Sequence, residues 1–224
     1  QASPEVVAGL LAALEDESGR VRWEAAWALG QLGQASPEVV AELLAALEDD
    51  SERVGWGATR ALGQLGQASP EVVAGLLAAL EDESEFVRGG AAEALGQLGQ
   101  ASPEVVAGLL AALQDESEDV RGSAAFALGR LGQASPEVVA GLLPTLKDES
   151  AGVRGGAAWA LGQLKANGRA IRALLPMLDE ERNKESIFVG GRYASIYDFV
   201  FEALWELVET VEDENTDCQD ERIG

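Results

Sequence analysis

Apolar residues near the start of the chain fall at Val7, Leu10, Leu11 and Leu14, the i, i+3, i+4, i+7 spacing of one buried helix stripe. A polar break, Glu15-Asp16-Glu17, follows, and Val21, Ala25, Ala28, Leu29 and Leu32 then mark the inner face of a second helix. Ser3, Pro4 and Glu5 give the favoured N-cap, N1 and first-turn order. Ser18 is placed to cap the second helix, and Gly33 supplies the permissive backbone that stops it. The block 1–33 recurs at 34–66, 67–99, 100–132 and 133–165 without insertion. A period of 33 residues predicts a solenoid, in which each unit buries its apolar face only by stacking on its neighbours.

The last part of the chain keeps this logic loosely. Residues 167–178 read as a first helix, with Ile171, Leu174, Leu175 and Leu178 apolar, and a longer charged connection runs to Gly190-Gly191. Ser195 and Asp198 form a capping-box start to a long aromatic helix from Ile196 to Val208. The expected organisation is five repeats over 1–165, a diverged capping repeat over 166–214 and an acidic disordered tail over 215–224. The fold class is all-α, a right-handed α-solenoid of about six two-helix repeats.

Five near-copies allow the chain to be compared with itself. The first helices are almost invariant, and change is concentrated in the second. Arg20, Trp23, Glu24 and Trp27 in the first repeat give way to Arg53, Trp56, Gly57 and Arg60 in the second and to Phe86, Gly89, Gly90 and Glu93 in the third. The fourth has Asp119, Gly122, Ser123 and Phe126, with Arg130 one turn on, and the fifth has Gly152, Gly155, Gly156 and Trp159. At about 100° per residue these sites share one arc beside the apolar seam, so they are expected to point outward and to lie side by side on the concave wall. All six aromatics of residues 1–165 fall at such sites. Tryptophan and arginine are the residues most enriched where interfaces concentrate their energy. Arg20, Trp23, Glu24, Trp27, Arg53, Trp56, Arg60, Phe86, Glu93, Asp119, Phe126, Arg130 and Trp159 are therefore the candidate partner-binding residues.

The run VRxxAAxALGxLG after an acidic turn resembles the short HEAT-like repeats of the phycobilisome-lyase type, clearly over 1–165 and loosely beyond. That resemblance implies a superhelix with second helices lining its concave side. It also implies an ion-pair ladder between Arg22, Arg88, Arg121 or Arg154 and the turn aspartates Asp16, Asp49, Asp82, Asp115 and Asp148, with Gly55 as the exception. The uniform repeats and the run from Tyr197 to Trp205 resemble the C-terminal sensor arrays of bacterial, especially cyanobacterial, NACHT-type signalling ATPases. This second likeness implies a ligand-sensing arm.

Composition narrows the chemistry. With 39 acidic against 16 basic residues the net charge is −23, a surface that repels phosphate backbones and anionic lipid, so nucleic acid and membrane are not expected partners. Histidine is absent, which removes the commonest general base and metal ligand. No catalytic residue, metal or cofactor is expected. Cys218 stands alone in the acidic tail, in keeping with a reducing cytoplasm. The repeated acidic turn lacks the spacing of a calcium loop and reads as a solvated, helix-capping turn.

The expected function is a protein- or peptide-binding scaffold, with self-association through the uncapped face of the first repeat as an additional possibility. A chromophore-handling subunit like the bilin lyases is the alternative, though uniform repeats are poorly suited to shape one pocket. An engineered consensus binder is disfavoured by mid-helix Gly9, Gly55 and Gly57, where better helix formers were available.

Overall fold

The computed structural model describes residues 3–164, 174–178, 186–189, 192–195, 198 and 200–205. Within them, ten α-helices form five pairs: α1 (Pro4–Ala13) with α2 (Gly19–Leu32), α3 (Pro37–Ala45) with α4 (Glu52–Leu65), α5 (Pro70–Ala79) with α6 (Glu85–Leu98), α7 (Pro103–Ala112) with α8 (Glu118–Leu131), and α9 (Pro136–Thr145) with α10 (Ala151–Gln163). The chain divides into two compact units, Gln1–Ala127 and Leu128–Gly224. The acidic tail expected at 215–224 lies outside the described residues, as does most of the helix expected at 167–178.

The helix starts use two different devices. Each first helix has Pro at N1, and the hydroxyl oxygens of Ser36, Ser69, Ser102 and Ser135 accept from the backbone N–H three residues on, at 3.2–3.4 Å. At the second helices the serines at 18, 51 and 84 stand at the N-cap without a side-chain cap bond. Instead the preceding aspartate carboxylate accepts the serine N–H, 2.8 Å in each of the five turns. The acidic turn is thus a backbone-fixing turn. Gly33, Gly66, Gly99 and Gly132 then close the second helices at φ of 64° to 68°, where a side chain would be strained.

Burial follows the predicted stripes with one widening. Val39, Val40, Leu43 and Leu47 are buried in the second repeat, and the same four positions are buried in the third and fourth. The first valine of this set was not read as core, whereas Leu44, Leu77 and Leu110, read as core, are only half-buried. In the second helices Val54, Ala58, Ala61 and Leu62 are buried together with Thr59 and Gly63, so the seam is wider than the periodicity suggested.

The second helices stack through one repeated contact. A Cβ placed on Gly30 would stand 2.8 Å from Ala61 Cα, and one on Gly96 would stand 2.7 Å from Ala127 Cα. Backbones this close leave no room for a methyl group on the glycine side. Within Leu128–Gly224 the same relation holds between Gly129 and Ala160, and Gly162 receives Ala203 in the same way. Ala203 and Val200 are buried.

That segment also brings a correction. The stretch expected only as a longer charged connection contains an antiparallel hairpin, β1 (Ser186–Val189) with β2 (Arg192–Ser195), in register from Ser186 opposite Ser195 to Val189 opposite Arg192. Two glycines between β-branched and aromatic runs are a recognisable hairpin signal. Ser195 therefore ends a strand; residues 196 and 197 lie outside the description, and helix is present at 198 and 200–205.

The expected ladder is present. Arg22 meets Asp49 through Nε–Oδ2 at 2.7 Å and Nη2–Oδ1 at 2.8 Å, and Arg88 meets Asp115 at 2.7 and 2.9 Å. Nη1 of each arginine also donates to two carbonyls of its own turn, Asp16 and Glu17 for Arg22, Asp82 and Glu83 for Arg88. Gly55 stands where the second repeat would carry its arginine, and among the described residues no guanidinium reaches the Asp82 carboxylate.

Candidate ligand-binding stripe

The thirteen residues singled out by sequence separate into two groups. Arg20, Glu24, Trp27, Arg53, Phe86, Asp119 and Arg130 are exposed, with Trp27 at 48% and Phe86 at 52%. Trp23, Trp56, Arg60, Glu93, Phe126 and Trp159 are half-buried. Within Gln1–Ala127 the stacking of α2, α4 and α6, and of α6 with α8 through Gly96 and Ala127, puts Trp27, Arg60, Glu93 and Phe126 at one repeat position on the second helices of four successive repeats.

One expectation fails at part of the stripe. Position 24 was read as outward, yet its counterparts Gly57, Gly90 and Gly156 are buried. They are sockets. A Cβ on Gly57 would lie 2.8 Å from Trp23 Cδ1, and one on Gly90 would lie 3.1 Å from Trp56 Cδ1. Trp23 and Trp56 therefore each lean into the glycine of the following repeat. Trp23 Nε1 is buried with no hydrogen-bond partner among the described residues, so shape and not a hydrogen bond holds that ring. The aromatics at this position avoid the repeated core because each needs a neighbour that lacks a side chain. Trp159, at a different repeat position, lies against a glycine of the preceding repeat, its ring 2.7 Å from the place a Cβ on Gly129 would take.

Elsewhere the stripe is polar and preorganised. The Arg60 guanidinium carbon sits 5.3 Å from the centroid of Trp56, a cation–π pair one helical turn apart. Glu93 accepts from Gln97 Nε2 at 2.9 Å. Arg20 and Glu24 meet at 3.0 Å, but both are largely in water, where such a pair contributes little. Among the described residues no group of three or more Cys, Asp or Glu is placed to hold a metal ion, and no helix is long and apolar enough to cross a membrane.

Paired helices of 33-residue period, stacked through second helices, match HEAT repeats over residues 7–96, 41–116 and 106–186. The chain belongs to the HEAT-repeat family. No curated protein matches the HEAT array in sequence. Among solved structures, the YibA protein of Escherichia coli superposes with a TM-score of 0.70 at 25% identity, covering 92% of this chain and 71% of its own. A designed armadillo repeat protein in complex with the peptide (KR)4 has a TM-score of 0.61 at 19% identity, covering 90% of this chain and 99% of its own. An engineered protein gives 0.62 at 19% identity, covering 90% and 98%. These likenesses concern the α-solenoid architecture.

Sequence reasoning missed Phe201 and Trp205, which it counted only as part of the cap. They are exposed, at 53% and 59%, and their rings stack with centroids 6.5 Å apart. The signal was available: aromatics four residues apart on a helix share one face.

Proposed function

We propose that the HEAT array is a non-catalytic scaffold that binds a protein or peptide through the exposed side chains of its second helices. One observation carries this reading. Repeats with near-identical frameworks place a different large or charged side chain at the same repeat position, exposed at Trp27 and half-buried at Arg60, Glu93 and Phe126, which a purely structural array has no need to do. The similar fold of a designed armadillo repeat protein in complex with the peptide (KR)4 supports it. The acidic balance of the chain favours a partner with basic segments. The finer assignment, a ligand-sensing arm of a larger signalling receptor in a bacterial cytoplasm, rests on the resemblance of the repeats and cap to NACHT-type arrays.

A peptide array tests the proposal. Peptides retained by the intact chain are expected to be lost from a Trp27→Ser/Phe86→Ser double variant whose thermal melt is unchanged. Equal retention by the double variant would remove the stripe from consideration.

A further inference from the structure

The terminal segment carries more exposed aromatic surface than covering α10 requires. Ala203, packed against Gly162, provides its contact with α10, and Val200 is buried beside it in sequence. Phe201 and Trp205 stand outside that contact, yet they share a cleft with Trp159 of α10. The cleft has a volume of about 150 Å³, below the roughly 300–1,000 Å³ of small-molecule sites and suited to a single side chain. Besides the three aromatic rings, its polar lining is Gln163 and Glu202, and no basic residue is among the lining.

We propose that Trp159, Phe201 and Trp205 form a socket for one lysine or arginine side chain of a basic peptide, with Glu202 at its rim. This deepens the peptide-binding reading and joins Trp159 of the stripe to Phe201 and Trp205, which the stripe does not contain. The argument is chemical. Aromatic faces carry negative quadrupole potential and attract a cation within about 6 Å of the ring centroid. The same chain already uses this pairing, with Arg60 over Trp56 at 5.3 Å. A carboxylate in the lining and a net charge of −23 oppose an anionic occupant and raise the local concentration of cationic ones. An aliphatic side chain would gain from the rings but nothing from Glu202.

The test uses the full chain and labelled octalysine and octaarginine peptides, titrated by fluorescence anisotropy at two salt concentrations. The controls are an octanorleucine analogue carrying a solubilising polyethylene glycol tail and a Glu137→Gln variant, an exposed carboxylate outside the cleft. Phe201→Ala and Trp205→Leu are each expected to weaken the basic peptides at least fivefold with an unchanged salt slope, and Trp205→Phe to restore binding to within twofold. Glu202→Gln is expected to weaken them about threefold and Glu137→Gln not at all. Wild-type affinity in Trp205→Leu, or octanorleucine binding as tightly as octalysine, would overturn the proposal. The two readings separate cleanly: loss in the cleft variants but not in Trp27→Ser/Phe86→Ser leaves the socket standing and removes the stripe, and the reverse pattern removes the socket. Trp205→Phe keeps the test decisive should the alanine or leucine variants fold poorly.

Discussion

The guanidinium of Arg22 grips the carboxylate of Asp49 edge-on, with two contacts of 2.7 and 2.8 Å, while its remaining nitrogen holds the two carbonyls of its own turn. One side chain thus fastens the start of its own helix and joins it to the next repeat. The Arg22 guanidinium holds the Asp49 carboxyl below the ordinary carboxylate range, and Arg88 does the same for Asp115.

A pH dependence follows. A carboxyl whose folded pKa is depressed adds stability that is present above its unfolded value of about 3.9 and is lost as pH falls through the folded value. Asp115→Asn is expected to cost about 1.5–3 kcal/mol at pH 7, the range for hydrogen bonds to charged groups. The gap between wild type and variant should close below about pH 4. Urea denaturation of both proteins from pH 7 to pH 2.5 measures it, and a constant gap would show that the bond does not depend on ionisation.

Gly96 of α6 and Gly9 of α1 should respond oppositely to alanine. Gly96→Ala forces a methyl to within 2.7 Å of Ala127 Cα, a backbone atom that cannot step aside. Overpacking of about 1–3 kcal/mol is expected to exceed the roughly 1 kcal/mol gained in helix propensity. Gly9 meets nothing within 4 Å, so Gly9→Ala should stabilise, by about 0.5–1 kcal/mol. Denaturant midpoints of the two variants decide the matter.

The two tryptophans of the first repeat should separate stability from recognition. Trp23 fills the Gly57 socket, and Trp23→Ala is expected to cost about 1–3 kcal/mol, part of the penalty for emptying a fully buried site. Trp27, half in water, should cost under about 0.5 kcal/mol when replaced by alanine. Trp56 leans on Gly90, which is why Phe86 and not Trp56 is the suitable companion of Trp27 in a binding test. Equal melting losses at Trp23 and Trp27 would contradict the assignment.

Much of this was legible in the residues, for reasons that differ by element. The repeat period, the Ser-Pro helix starts and the closing glycines are local signals, and a near-identical copy every 33 residues multiplies them. The arginine ladder came through resemblance alone. The socket role of Gly57 and Gly90 was not legible, because it is a relation between one position of a repeat and a different position of the next. Periodicity within a single helix places position 24 outside the seam; only the approach of the neighbouring helix brings it in. The pairing of β1 with β2 is hidden for a simpler reason: after five helical repeats, Gly190 and Gly191 look like the end of a connection and not like a turn between strands.

The missing clasp at Gly55 has a mechanical consequence. A line of identical, equally coupled repeats melts inward from its ends, since only the end units lack a neighbour. Here the second repeat reaches the Asp82 turn without the charged link that joins the first repeat to the second and the third to the fourth. The array therefore has an internal seam of lower cooperativity, at which it can open while the blocks on either side remain folded. Hydrogen exchange should find amide protection in α4 and α6 decoupling at denaturant concentrations where α2 and α4 still lose it together. The chain's uniform sequence thus conceals an uneven spring.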